Sequence, residues 1–183
     1  MMQLIILDRD GVINRDSADY IKNAAEWQAL PGSLGAIARL NKAGYRVVVI
    51  SNQSGLARGK FSRQDLDAIH AKLCDELRAN GGHVDAILYC PHGPVDGCRC
   101  RKPEPGLFLE AMQRFEAPTD TVIAVGDKAS DIEAARRAGI TQTVLVKTGL
   151  SPDPSAGCCD LQGVPEYPDL AAMVEVLLER GAV

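Results

Sequence analysis

Five apolar runs recur along the chain, at Leu4–Leu7, Tyr45–Ile50, Val84–Tyr89, Thr121–Val125 and Thr143–Val146, and stretches with apolar residues at helical spacing separate them. Runs that are apolar throughout, rather than at alternate positions, belong to strands covered on both faces. Strands that alternate with helices are joined by right-handed crossovers, so the expected fold is α/β: a doubly wound, mostly parallel sheet. The intervening segments carry helix signals. Leu34, Ile37, Ala38 and Leu40 share a face before Gly44, and Ser62 with Asp65 opens a helix whose face is Leu66, Ile69, Leu73 and Leu77, ended by Gly81 and Gly82. Pro105 opens a third helix through Leu107, Phe108, Ala111, Met112 and Phe115, and a short fourth runs from Asp131 to Ala138 before Gly139. Residues 16–31 read as a loop, residues 151–168 as irregular proline-rich chain, and residues from about 169 to 178 as a last helix. A chain of 183 residues with 46% hydrophobic content supports one domain spanning residues 1–183, with its own core.

The first run ends in two aspartates, Asp8 and Asp10, followed by Gly11. Ligands of open α/β sheets gather at the carboxyl ends of strands, so both carboxylates are expected at that rim. At ~4 Å and an effective dielectric near 20, two carboxylates repel by roughly 4 kcal/mol, which a cation or a shared proton offsets. A helix or turn cap accounts for one carboxylate there but not for two. Other strand ends add Ser51, Asn52, Gln53 and Ser54 after the second, Lys102 beyond the third, and Asp127 and Lys128 after the fourth. Singly, these are ordinary capping or solvated residues. Together they make a plausible site for Mg²⁺ and a phosphate, since hard oxygen ligands hold the cation while hydroxyl and ammonium groups bind phosphoryl oxygens.

A second cluster lies at residues 90–100, where Cys90, His92, Cys98 and Cys100 offer three thiolates and one imidazole, a full tetrahedral Zn²⁺ set with no open position. That favours a structural zinc site; a disulfide or free thiols is the alternative. Cys74 reads as packing within a helix, and Cys158–Cys159 takes no assignment. The net charge of −4 disfavours general nucleic-acid and acidic-membrane binding. No run approaches a membrane span and no basic, then apolar, leader opens the chain, so a cytoplasmic monomer is expected.

Asp8-Arg9-Asp10-Gly11-Val12, the strand ending at Ser51, Lys102 before Pro103, and Gly126-Asp127-Lys128-Ala129-Ser130-Asp131 resemble the four ordered motifs of the haloacid dehalogenase (HAD) phosphohydrolases. The resemblance covers about residues 3–147 and implies a Rossmann-like sheet of strand order 5-4-1-2-3 and hydrolysis through an aspartyl-phosphate. It makes Asp8 the nucleophile and Asp10 the acid and then the base, with Ser51 and Lys102 on the phosphoryl group. The Asp8 carboxylate, the Asp10 carbonyl and Asp127 would hold Mg²⁺, and Asp131 would order the neighbouring lysine or a metal-bound water. The Cys-x-His…Cys-x-Cys-Arg-Lys-Pro segment is similar to that of the zinc-carrying branch, which acts on heptose bisphosphates and histidinol phosphate. The 51–60 and 126–128 stretches favour the heptose side.

By the same resemblance Arg101 recognises the substrate, its second phosphate being the candidate group, with further contacts from Asp16, Ser17, Ala18, Asp19, Asn52, Gln53, Ser54 and Lys128. The implied activity is removal of the 7-phosphate of D-glycero-D-manno-heptose 1,7-bisphosphate in lipopolysaccharide heptose synthesis. Histidinol-phosphate phosphatase is the nearest alternative, followed by polynucleotide 3′-phosphatase and a non-enzymatic zinc-stabilised domain. The first motif lies too close to the next helix for a separate cap domain, so loops 12–28 and 90–100 are expected to cover the site.

Overall fold

A computed structural model describes residues 3–150 and 161–180 of the chain. The strands are β1 (Gln3–Leu7), β2 (Tyr45–Asn52), β3 (Ala86–Cys90), β4 (Val122–Gly126), β5 (Gln142–Val146) and β6 (Glu166–Tyr167). The helices are α1 (Ser33–Lys42), α2 (Arg63–Ala79), α3 (Gly106–Arg114), α4 (Ala129–Arg137) and α5 (Leu170–Arg180). The sheet order is β3-β2-β1-β4-β5-β6, and every pairing is parallel. The expected order 5-4-1-2-3 is therefore present, extended by one edge strand.

That extra strand corrects the reading of 151–168 as wholly irregular. β6 has two residues, too few for any periodic signal, and it is held by Leu145 N–H on the Pro165 carbonyl and Lys147 N–H on the Tyr167 carbonyl, each at 3.0 Å. Pro165 and Pro168 lack N–H groups but still offer carbonyls, which an edge position tolerates. Cys158, Cys159, Pro152 and Pro154 lie outside the described residues.

Alternate residues of each strand go to opposite faces. Ile5, Leu7, Val47, Val49, Ile123 and Val125 pack with Leu34, Ile37, Leu40, Ile69, Leu73, Leu77, Met173 and Val174 of α1, α2 and α5. Leu4, Ile6, Val48, Ile50, Val122 and Ala124 pack on the other side with Leu107, Phe108, Ala111, Ala134 and Ala135 of α3 and α4. Each fully buried Leu or Ile contributes about 1.5–3 kcal/mol, so the two layers fix the strand ends that carry the polar residues. α2 starts where expected, on a reciprocal cap between Ser62 and Asp65.

The 8–31 connection is a folded cover. Leu30 N–H donates to the Ile13 carbonyl, Arg15 N–H to the Gln28 carbonyl, and Trp27 is fully buried. Lys72 of α2 clasps it from below, donating to the carbonyls of Ala24 and Trp27 at 2.9 and 2.8 Å.

Candidate active site and metal clusters

Parallel register brings Leu7, Val49 and Val125 level, so the residues that follow them emerge at one rim. Asp8 Oδ1 lies 2.7 Å from Lys102 Nζ, which also reaches Asp131 Oδ1 at 2.5 Å and donates to the Ile50 carbonyl at 3.2 Å. Burial pushes Asp8 up to about 6 despite Lys102, with Asp131 adding to the rise. Lys102 is buried too, yet Asp131 and Asp8 raise it well above the ordinary lysine value.

Among the described residues, Asp127 is the buried carboxylate with two oxygens that lack a hydrogen-bond donor. Both carboxylate oxygens are buried without a hydrogen-bond partner, and Lys128 Nζ stands 3.4 Å from Oδ2. Burial, then the charges of Asp8 and Asp131, push this carboxyl up to about 9. The backbone is shaped around it. A Cβ on Gly149 would stand 1.8 Å from Asp127 Oδ2, and one on Gly11, whose φ is +84°, would stand 2.4 Å away. Leaving a buried charged group unpaired costs several kcal/mol, whereas oxygens of Asp8, Asp127 and Asp131 within 4.8 Å of one another suit a small hard cation. Asp131 is already engaged by Lys102 and accepts the N–H groups of Asp127 and Lys128 on Oδ2 at 3.2 and 3.1 Å.

Asp10 points its carboxylate elsewhere. Oδ1 accepts from Arg9 Nε at 3.0 Å and Asn14 Nδ2 at 2.8 Å, while Oδ2 accepts from Arg9 Nη2 at 2.9 Å and Gln53 Nε2 at 3.1 Å. Burial opposes ionisation, but the Arg9 charge and these donors hold Asp10 below the usual carboxylate value. Arg9 is itself fully buried, and its Nη1 stands 3.4 Å from His70 Nε2. Burial and the Arg9 charge hold that imidazole down at about 4, so it faces the guanidinium as a neutral ring.

A cavity of about 480 Å³ opens above this centre, lined by Asp8, Asp10, Asp16, Ser17, Ala18, Ser51, Asn52, Gln53, Ser54, Arg101, Lys102 and Lys128. Of the residues expected around the substrate, Asp19 is not on that lining: its carboxylate pairs with Lys22 at 3.2 Å on the outer surface. Tyr20 and Ile21 line the cavity in its place, with Leu150, Ser130 and Asp131. A loop's hydrophilic residues give no sign of which one turns inward; Tyr20 does so from a left-handed backbone with φ 63°, its ring edge-on to Phe61. Lys128 Nζ and Asp16 Oδ2 are 2.9 Å apart across one wall. Tyr20 belongs to the loop expected to cover the site, whereas Arg9 and Asn14 take places there that the sequence alone does not assign. Their signal was present in the sequence as a charge between two aspartates at a strand end, and an amide four residues after Asp10.

At the other end of the rim the four candidate zinc ligands converge. Cys90 Sγ is 3.1 Å from Cys100 Sγ and 3.6 Å from Cys98 Sγ, and His92 Nδ1 is 3.3 Å from Cys100 Sγ and 3.6 Å from Cys90 Sγ. With metal–sulfur and metal–nitrogen bonds of about 2.3 and 2.0 Å, the edges of a tetrahedral site come to roughly 3.5–3.8 Å, so the set is close to that size. Burial raises Cys90, reinforced by Cys100, while Cys98, against the effect of burial, is drawn down to about 7 by the Arg101 N–H.

The profile of the HAD-hydrolase-like family matches residues 99–171. A protein of Bordetella bronchiseptica named D-glycero-beta-D-manno-heptose-1,7-bisphosphate 7-phosphatase is 50% identical over 179 residues, covering 98% of this chain and 99% of its own. A Pseudomonas putida protein of the same name is 48% identical, over 97% of this chain and 100% of its own. The crystal structure of the B. bronchiseptica D,D-heptose 1,7-bisphosphate phosphatase complexed with magnesium and phosphate superposes with a TM-score of 0.89 at 48% identity, covering 98% of this chain and 99% of that one. Four separate sequence segments meet at one rim around Asp8, and relatives about half identical span nearly the whole length, so the chain belongs to the HAD-like phosphatases.

Proposed function

We propose that the chain hydrolyses the 7-phosphate of D-glycero-β-D-manno-heptose 1,7-bisphosphate, acting as a cytoplasmic monomer in the heptose branch of lipopolysaccharide synthesis. One observation carries the chemistry: Asp8 is a buried carboxylate salt-bridged to Lys102, beside the buried carboxylate of Asp127, whose oxygens accept no hydrogen bond. The substrate, with its β configuration, is taken from the names of the near-full-length relatives.

In the first step an Asp8 carboxylate oxygen attacks phosphorus. The bond from phosphorus to the sugar oxygen breaks, and Asp10 gives that oxygen its proton. In the second, Asp10 takes a proton from water, which attacks phosphorus; the acyl-phosphate bond breaks, releasing inorganic phosphate and restoring Asp8. Lys102 and the Ser51 hydroxyl hold the phosphoryl oxygens throughout. Mg²⁺ would be held by the Asp8 carboxylate, the Asp10 carbonyl and Asp127, and when bound it offsets negative charge on the transferring group. Because Asp10 begins ionised, with four donors on its carboxylate, it must release at least one of them and take up a proton from solvent before it can serve as the acid.

Cys90, His92, Cys98 and Cys100 would hold a structural Zn²⁺. Arg101, immediately after them, donates to the His92 carbonyl at 3.4 Å and lines the cavity, where its forked donors suit the distal phosphate or paired sugar oxygens. Asp16, Ser17, Ala18, Ser54 and Lys128 complete that end. The test is side-by-side turnover of the β and α heptose bisphosphates and histidinol phosphate, with the released position identified. Preference for the β anomer with loss of the 7-phosphate supports the reading; preference for histidinol phosphate overturns the substrate.

A further inference from the structure

Asn52 lines the cavity and reads naturally as a substrate contact, but its side chain is turned to another task. Its Oδ1 accepts the Lys102 N–H at 3.0 Å, and its Nδ2 donates to the Lys102 carbonyl at 3.1 Å. Both ends of one amide thus grip the main chain of one residue, 50 positions away in sequence. Lys102 has no secondary-structure ladder to fix it: it lies in the turn after the Cys-rich loop and before α3. Its ammonium group nevertheless sits at hydrogen-bond distance from Asp8, Asp131 and the Ile50 carbonyl.

The anchor itself is rigid. Asn52 is the last residue of β2, in register with Cys90 of β3, and the next residue, Gln53, donates its N–H to the Cys90 carbonyl at 2.8 Å. The tip of β2 is therefore bonded to the Cys-rich loop at its first ligand and, through Asn52, to the residue two places beyond its last. We propose that Asn52 is a positioning residue that acts through Lys102, fixing the main chain from which the phosphoryl-binding ammonium is delivered, and that it is not a reader of the sugar. Among the described residues one N–H and one lone pair of its amide take no partner, so the two roles need to be separated by experiment.

The inference rests on Lys102 binding the phosphoryl group, and the comparison is built to tell the two apart. Kinetics of Asn52→Ala are measured on the heptose bisphosphate and on p-nitrophenyl phosphate, which offers the same phosphoryl group without the sugar. A displaced Lys102 damages the shared centre, so kcat falls by the same factor on both, on the order of 10- to 100-fold, with KM for the bisphosphate little changed. A loss confined to the heptose bisphosphate, carried by KM, overturns the proposal, as does unchanged kinetics on both substrates. Lys102→Met is run in parallel: if it keeps full turnover, the reading of Lys102 fails, whereas a dead Lys102→Met with a normal Asn52→Ala removes only the role of Asn52. Metal content and circular dichroism show whether the fold is kept. Should the alanine variant not fold, Asn52→Asp retains the side-chain size and an acceptor for the Lys102 N–H, and the same equal loss on both substrates is expected.

Discussion

The two candidate metal-ligand clusters stand at the same sheet rim but are held there in opposite ways. The carboxylate centre sits on strand ends fixed by two buried layers, and its charges are already compensated among themselves: Asp8 and Asp131 by Lys102, Asp10 by Arg9. The thiol and imidazole cluster closes a loop of glycine, proline and exposed residues, whose Val95 is 94% exposed and whose internal support includes Asp96 on the Gly93 N–H. The fold builds the first and leaves Asp127 for a cation to complete. The second, on the proposed reading, would take its shape from a bound Zn²⁺. Damage to the first should therefore remove chemistry and spare the fold, whereas damage to the second should first cost stability and then, through Lys102, rate.

The largest expected effect is that of Asp8→Asn, which abolishes turnover, by on the order of 10⁴-fold or more, while thermal unfolding changes little. Substantial residual hydrolysis would remove Asp8 from the role of nucleophile. Next is the loop. Cys98→Ala, or zinc chelation, lowers the unfolding free energy by some fraction of the roughly 10–16 kcal/mol that structural zinc supplies to isolated peptides. Calorimetry checks this, and an unchanged melting temperature on full zinc removal contradicts it. Third, Asn14→Ala removes one donor from Asp10 and leaves Arg9 and Gln53 in place, so kcat drops about 10-fold with KM unchanged. A rise in KM alone would instead mark Asn14 as a substrate contact.

The remaining effect is on pH. In chelated protein the raised values of Asp8 and Asp127 favour their protonated forms in the fold. The stability they contribute is complete below their ordinary value of 3.8 and is lost as pH rises through about 6 for Asp8 and about 9 for Asp127. Urea unfolding of the chelated chain should thus show falling stability across that window, and saturating Mg²⁺ should flatten the slope. A rising slope without metal contradicts the assignment of Asp127 as a buried acid without hydrogen-bond donors.

The sheet was legible because five apolar runs, the cap at Ser62 and the glycines at 44, 81 and 139 are local signals that agree with the tertiary packing. β6 was not, because two residues carry no period and only the partner strand defines them. The site was legible at the level of which residues meet, since Asp8 and Asp127 follow β1 and β4, Ser51 lies at the end of β2 and Lys102 in the connection after β3 of a parallel sheet. What each side chain does with its hydrogen bonds was not. Asn52 and Gln53 look alike as polar residues after a strand, yet one grips Lys102 and the other bridges Asp10 and Ser51. Asp19 and Tyr20 are neighbours, and only the folded loop decides which faces the cavity.

The central claim, that Asp8 carries the phosphoryl group between the sugar and water, is tested by borohydride trapping. The Mg²⁺-loaded chain is quenched during turnover of the β heptose bisphosphate, reduced and digested, and the peptide bearing residue 8 is sequenced by mass spectrometry. Conversion of Asp8 to homoserine, dependent on substrate and time, is the predicted result; an unmodified Asp8 under turnover, or reduction at another carboxylate, contradicts the account.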